Sequence, residues 1–396
     1  MTTDERRLVE ARIDTLLGTH PPATTATPEF WGAQYDLGLA WVQLPEGAGG
    51  LGVSPRWQVD VNRRIEESGG SVDNRFLNII GIGMGAATLV SHGTAAQQRR
   101  WLRPMFTAEE VWCQMFSEPG AGSDVAALST SAFREADTWI VNGQKVWTTL
   151  AHLARWGLLL ARTDPDAPKH AGLTYFVVDM ESAGVEVRPL YQITGEAEFN
   201  EVYLTDVAIP DDQRIGDVGQ GWTVAMTTLM NERVAIGSNV IPRGSGAIAH
   251  ALAAWDRSSE RDPADRDRLI AYWIEAEALR LTTIRAGEAA RMGTPGPEGS
   301  TAKLHWAELN KAITSFAVDL LGAGGMTYPS GYRFVRPDVA STRTPDVHKA
   351  YLRARANSIE GGTSEIMKNI LGERVLGLPG EPRVDKNIPW RDVPRS

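Results

Sequence analysis

The hydrophobic pattern of this chain changes period twice, and that double switch restricts its architecture more than any other feature. Residues 1 to about 110 read as helices, with charges on one face of 57–67 and 95–105. Breaks fall at Pro21-Pro22 and along Leu44-Pro-Glu-Gly-Ala-Gly-Gly-Leu-Gly52. From about 111 to 215 the spacing turns to that of strands. Thr138-Trp-Ile-Val141 and Gln144-Lys-Val-Trp-Thr-Thr149 flank Asn142-Gly143, which predicts a hairpin because both residues tolerate positive φ. Leu173-Thr-Tyr-Phe-Val-Val178, Val185-Glu-Val-Arg188 and Glu201-Val-Tyr-Leu204 are further β-rich runs. After Gly219-Gln-Gly221 the helical period returns, over about 222–255, 264–292, 301–321 and 344–360, with a breaker at 293–299. The expected fold is α+β: an N-terminal helical domain (1–110), a middle antiparallel β domain (111–217) and a C-terminal four-helix bundle (218–396).

Composition narrows the partners. With 40 basic against 49 acidic residues the net charge is −9, and no Lys/Arg-rich block offers the clustered positive charge that nucleic acid requires. No run approaches the length of a membrane span, and the charged N-terminal stretch does not read as a signal peptide. The single cysteine, Cys113, excludes a disulfide framework and points to a reducing, cytoplasmic setting. The seven histidines show no metal-binding spacing, so no metal is expected.

Four separated segments carry polar residues where chemistry could sit. Gln114-Met-Phe-Ser-Glu-Pro-Gly-Ala-Gly-Ser-Asp124 is a strand ending in a Gly-rich turn, which either brings backbone amides close to a ligand or is an ordinary polar turn. Gln144-Lys-Val-Trp-Thr-Thr149 puts a large aromatic beside two hydroxyls: a core Trp, or a wall for a flat ring with Thr149 supplying a hydrogen bond. Along 222–240 the residues Trp222, Met226, Leu229, Ile236 and Val240 make an apolar stripe that includes Arg233, with Glu232 about 100° around the helix. A charge in a core-facing stripe is costly unless paired or used, so Glu232 and Arg233 are either solvated edge residues or functional. Asn357-Ser-Ile-Glu-Gly-Gly-Thr-Ser-Glu-Ile366 reads as a helix stop followed by a new start capped by Thr363 or Ser364, whose free amides would suit a phosphate or serve only a helical corner.

In this order and at these distances the segments are specific. The sequence resembles the acyl-CoA dehydrogenase family from Leu44-Pro-Glu to Glu373-Arg-Val-Leu-Gly377. The resemblance is carried by Ser117-Glu-Pro-Gly-Ala-Gly-Ser-Asp124, Val141-Asn-Gly-Gln-Lys-Val-Trp-Thr-Thr149, Gly216-Asp-Val-Gly-Gln-Gly-Trp222 and Gly362-Thr-Ser-Glu-Ile366. It implies FAD as cofactor, an acyl-CoA thioester as substrate, and desaturation to the trans-2-enoyl-CoA with electrons passed to an electron-transfer flavoprotein. It further implies that Gln114, Phe116, Ser117, Gly122, Ser123, Trp147 and Thr149 line the flavin, with Ser123 also toward the acyl-CoA. Thr363 and Glu365 would meet the cofactor's phosphate and adenosine side, and Gly322 would add a cofactor contact.

The resemblance also bears on the base. Many members carry it directly before the Gly-Thr of the last motif, where this chain has Gly361; Glu360 is one residue early. Members resembling the isovaleryl- and long-chain-type enzymes place it on the earlier helix before an Arg, as in Asn231-Glu-Arg-Val234. Glu232 is therefore the expected base, Gly361 an N–H donor to the thioester oxygen, and Arg233 a buried partner within reach of the substrate. Two positions depart from the family. The Arg-x-x-Phe-Gly motif is missing from Ala254-Trp-Asp-Arg-Ser-Ser-Glu-Arg-Asp-Pro263, and Asp319 stands where Gln is frequent. The implied assembly is a homotetramer or a heterotetramer. A non-catalytic structural subunit and an oxygenase-like relative stay open as alternatives.

Overall fold

In the computed structural model, residues 2–237, 240–258, 261–291, 298–328, 334–338, 346–380, 382–383 and 385–394 are described. Six helices come first: α1 (Thr2–Thr19), α2 (Thr27–Asp36), α3 (Trp57–Glu67), α4 (Asn74–Leu77), α5 (Ala86–His92) and α6 (Ala95–Phe106). Thr94 opens α6 with a capping box, its hydroxyl accepting from the Gln97 amide while the Gln97 side chain accepts from the Thr94 amide. Eight strands follow: β1 (Trp112–Met115), β2 (Ser131–Glu135), β3 (Thr138–Thr149), β4 (Trp156–Arg162), β5 (Leu173–Asp179), β6 (Val185–Pro189), β7 (Phe199–Pro210) and β8 (Arg214–Ile215). The helical part resumes with α7 (Gly221–Gly237), α8 (Ala247–Arg257), α9 (Pro263–Arg291), α10 (Glu298–Asp319), α11 (Val347–Ala354) and α12 (Ser364–Ile370).

The strands form one sheet in the order β6-β7-β3-β2-β4-β5-β8, with β1 joined to β4. It is mainly antiparallel, but β1 and β2 both run parallel to β4, which departs from the all-antiparallel expectation. β4 and β5 are buried along almost their whole length because both faces are covered. On one face Leu158, Leu160, Tyr175 and Val177 join the core of the N-terminal helices. On the other, Leu159, Ala161, Phe176 and Val178 pack with Trp139, Val141, Val202 and Ile209 from β3 and β7. A third core, with Ile248, Leu269, Ile313 and Phe316, holds the C-terminal bundle around α10.

Three readings of the sequence are corrected. Asn142-Gly143 does not turn a hairpin; β3 runs straight through it, and the hairpin from β2 turns at Ala136-Asp137. The pair makes a bulge opposite β7 instead, where Asn142 accepts from the Asp206 amide and donates to the Asp206 carboxylate. Glycine is required there because a Cβ at Gly143 would lie 2.3 Å from the Thr130 hydroxyl. The single helix expected over 222–255 is α7 and α8, and the helix expected over 344–360 is the short α11 followed by a 3₁₀ turn over Arg355–Ser358. The breaker at 293–299 lies largely outside the described residues.

Candidate active site

Lys145 of β3 is fully buried. Its Nζ donates to the Phe116 carbonyl (3.1 Å), the Leu160 carbonyl (2.9 Å) and Glu118 Oε1 (2.8 Å). Glu118 also accepts from the Ser129 amide and hydroxyl and from the Thr130 amide. Burial acts to raise the Glu118 carboxyl, but Lys145 and these hydrogen bonds outweigh it and hold it at about 2. Burial pushes the Lys145 ammonium the other way, below its ordinary value. Three acceptors around Nζ match the three donors of the charged form, so the pair is ionic. Neither residue was singled out in the sequence, although both lie inside motifs that were. No local spacing shows a cross-sheet partner 27 residues away.

This pair fixes the Gly-rich turn against β3. Glu118 and Ala121 exchange backbone hydrogen bonds, and the Val146 amide donates to the Ser117 carbonyl (2.9 Å). The ladder of β3 shifts between Lys145 and Thr148, and within that shift Trp147 takes φ +59°. Its indole is consequently turned out of the sheet and is 57% exposed, edge-on to Phe199 at 5.7 Å. Among the described residues the amides of Gly122 and Ser123 donate to nothing, and the Ser117, Ser123 and Thr149 hydroxyls have no partner. The structure therefore brings Ser117, Trp147 and Thr149 to one bulge, with Gly122 and Ser123 following in the turn held by Glu118; Gln114 lies on β1, with Phe116 buried against Tyr175.

A chain of contacts leads from Trp147 to the last motif. Phe199 lies under the Arg353 guanidinium (5.8 Å), and Arg353 makes a bidentate ion pair with Glu360 (3.0 and 2.8 Å). Asn357 donates to the same carboxylate at 2.7 Å. Glu360 is thus fully engaged. Gly361 and Gly362 follow with φ +63° and +95°, and neither amide donates to anything among the described residues. Lys303 of α10, 4% exposed, pins the corner through the carbonyls of Asn357 and Gly362. Thr363 is the N-cap of α12, accepting from the Ile366 amide at 3.2 Å. Thr363→Ala is expected to cost about 1 kcal/mol, measured by denaturant unfolding; a change within error would mean the cap contributes nothing. Glu365 is exposed on α12, and Gly322 is exposed on the 3₁₀ turn after α10.

The buried side of α7 differs from the stripe expected. Gly221, Val224, Ala225 and Thr228 are the buried positions, whereas Trp222, Met226 and Leu229 are half-buried flanks. The Thr228 hydroxyl meets Thr88 (2.9 Å) and Tyr175 (3.0 Å), joining α7 to α5 and β5. At about 100° per residue, the line through Gly221, Ala225 and Thr228 continues to position 232, with 233 displaced to the Trp222 flank. The side chains of Glu232 and Arg233 lie outside the described residues.

A helical layer, a two-faced sheet and a bundle frame an exposed indole and unpaired amides, and comparison with known proteins supplies the class. Three domain descriptions match in order: acyl-CoA dehydrogenase N-terminal domain over residues 4–109, middle domain over 113–207 and C-terminal domain over 219–376. The chain belongs to the acyl-CoA dehydrogenase family and is an oxidoreductase of that class. It is 38% identical over 348 residues to the acyl-CoA dehydrogenase IpdE1 of Mycobacterium tuberculosis, covering 87% of this chain and 86% of that one. To acyl-CoA dehydrogenase FadE34 of the same organism it is 40% identical over 331 residues, 83% of this chain but 43% of the other. Among solved structures, the Tcur3481-Tcur3483 steroid ACAD superposes with a TM-score of 0.71 at 22% identity, covering 96% and 98% of the two chains. An acyl-CoA dehydrogenase from Geobacillus kaustophilus gives 0.70 at 23% identity, covering 94% and 98%. These structures share the fold.

Proposed function

We propose that this chain binds FAD and oxidises an acyl-CoA thioester to the trans-2-enoyl-CoA, with Glu232 as the base. The observation that carries the reading is the register of α7, in which position 232 falls on the line of the buried Ala225 and Thr228. The last motif supplies no competitor, since Glu360 is held by Arg353 and Asn357 and Glu365 is exposed.

The donor set suits the cofactor. An outward-turned indole offers a flat wall, Thr149 a hydroxyl at its edge, and the unpaired amides of Gly122 and Ser123 offer donors at close approach. Gln114, Phe116 and Ser117 complete that side, while Thr363, Glu365 and Gly322 are assigned to the phosphate and adenosine side. FAD, when bound, supplies the acceptor for the substrate's β-hydride. The chain's own residues do the rest. Glu232 takes the α-proton, and the Gly361 amide donates to the thioester oxygen as negative charge develops there. Ser123 and Arg233 border the acyl-CoA, and an electron-transfer flavoprotein is the assigned acceptor.

Assembly is the second question, because the missing Arg-x-x-Phe-Gly motif removes one cofactor contact expected from a neighbouring copy. Structures of similar fold include one titled as the ChsE4-ChsE5 complex from Mycobacterium tuberculosis. One preparation addresses both points. The chain purified alone should be yellow and bleach anaerobically when an acyl-CoA is added. Colour that arises only with a second, different chain would replace the self-sufficient enzyme by a subunit of a mixed tetramer.

Trp147→Ala tests the wall. Its indole is exposed, so thermal stability should move little, by roughly 0.5 kcal/mol or less. The visible-to-ultraviolet absorbance ratio of the purified protein should nevertheless fall severalfold. An unchanged ratio would remove Trp147 from the cofactor site.

A further inference from the structure

Residues 385–394 lie beyond the last stretch matched by the family, which ends at residue 376. They nevertheless return to the sheet and grip the two loops that flank the Gly-rich turn. Pro389 pairs with Pro168 in an isolated β-bridge, and the amides of Trp390 and Arg391 donate to the carbonyls of Ala167 (2.9 Å) and Pro165 (3.1 Å). The Trp390 indole lies against the Arg162 guanidinium at 4.2 Å and donates to the Ala127 carbonyl at 3.2 Å.

Arg162 is itself 3% exposed and holds the carbonyls of Ala126 (2.6 Å) and Leu128 (3.2 Å). One layer further out, Lys169 joins Asp385 of the returning segment to Asp124, the residue that follows Ser123 (2.7 Å to Asp124). Lys169 is 7% exposed, so this bridge is shielded from solvent on its cationic side. The turn around Ser123 is thus tied from below by Lys145 and Glu118 and from its far end by Trp390 and Asp385. Besides these, the described contacts of 122–124 come down to the Ala127 amide, which donates to the Asp124 carbonyl at 2.9 Å, and Gly122 has open space around it.

We propose that residues 385–394 form a strap that sets the pose of the Ser123 turn, with Trp390 and Asp385 as positioning residues for the acyl-CoA. The inference rests on the reading above that Ser123 borders the thioester. A strap of this kind acts on alignment: loosening it lets the turn sample poses that bind substrate poorly, while the proton-abstracting group on α7 is untouched.

The test uses the full-length holoprotein and three variants, Trp390→Ala, Trp390→Phe and Asp385→Asn. In Trp390→Ala, amide hydrogen exchange over 124–128 and at Asp166, Ala167 and Arg391 should accelerate about tenfold or more, with α1 and α10 unchanged. The KM for the acyl-CoA should rise about tenfold with kcat within about twofold, as expected for lost positioning of bound substrate. Trp390→Phe keeps a ring over Arg162 and should recover most of the KM. Asp385→Asn should move exchange and KM in the same direction by less, and it carries the test if Trp390→Ala does not fold. Unchanged exchange over 124–128 would overturn the strap. Faster exchange with an unmoved KM would overturn its role in positioning substrate. Exchange is readable without turnover, so a parent chain inactive toward acyl-CoA would count against the site assignment and leave exchange to judge the strap.

Discussion

Glu232→Gln is expected to lower kcat by about a thousandfold or more, while the protein keeps its flavin and its melting temperature. The substitution preserves shape and hydrogen-bonding reach but removes the basic oxygen. Position 232 continues the line of α7 that carries buried Ala225 and Thr228, the face on which a general base would meet a substrate rather than bulk water. Two readouts separate loss of the base from general damage. The parent should exchange the substrate's α-proton with deuterated solvent, and Glu232→Gln should not. Anaerobic addition of acyl-CoA should bleach the parent within the mixing experiment and leave the variant yellow. Glu232→Asp, one methylene shorter, should fall between them. Bleaching of Glu232→Gln at the parental rate would sink the assignment, and attention would then turn to a carboxylate supplied by another chain.

The second large effect concerns stability. Lys145→Met is expected to cost about 3–5 kcal/mol, because it leaves the Glu118 carboxylate buried with its cation gone. Met matches the length of the lysine stem, so little cavity term is added. Adding Glu118→Gln to Lys145→Met should recover part of the loss, and the non-additivity measures the coupling of the pair. The pH dependence has a definite sign. Glu118 is depressed from an ordinary value of 4.5 to about 2 in the folded protein. Its contribution is therefore fully present above about 4.5 and is lost as pH falls toward 2. The stability gap between parent and Lys145→Met should narrow across that window. A gap independent of pH would mean that the lysine acts through packing alone.

The layered architecture was legible because each layer has its own period: the runs at 57–67 and 95–105 became α3 and nearly all of α6, and the β-rich runs became β3, β5, β6 and β7. Local signals misled where a distant residue decided the outcome. Asn142-Gly143 has hairpin chemistry, but Asp206 across the ladder and Thr130 beneath Gly143 turn that chemistry into a bulge. A strand tryptophan ordinarily packs inward, and Trp147 faces out because a second bulge inverts its φ. The stripe read along α7 was displaced by one position, since half-buried Trp222 and Met226 outscore small buried Ala225 and Thr228 on hydrophobicity. Within the candidate site, the motifs named the turn, the indole and the glycine corner. They did not reveal what holds them, because the Lys145–Glu118 and Lys303–Gly362 contacts join elements far apart in sequence.

The shared core between the N-terminal helices and the sheet sets an order of assembly. Leu89, Trp101, Leu102 and Met105 find their packing partners in Trp112, Trp156, Leu158 and Tyr175, all of which are synthesised later. Trp101 alone stacks edge-on with both Trp112 (5.9 Å) and Trp156 (5.7 Å). The strands from β1 to β8, by contrast, complete their ladder among themselves before α7 begins. On a ribosome, the face carrying Leu89, Trp101, Leu102 and Met105 would therefore emerge uncovered and wait for the sheet, while Val9, Ile13, Phe30, Trp31, Val61 and Ile65 pack among helices already made. The middle of the chain then closes a core that the first helices begin among themselves.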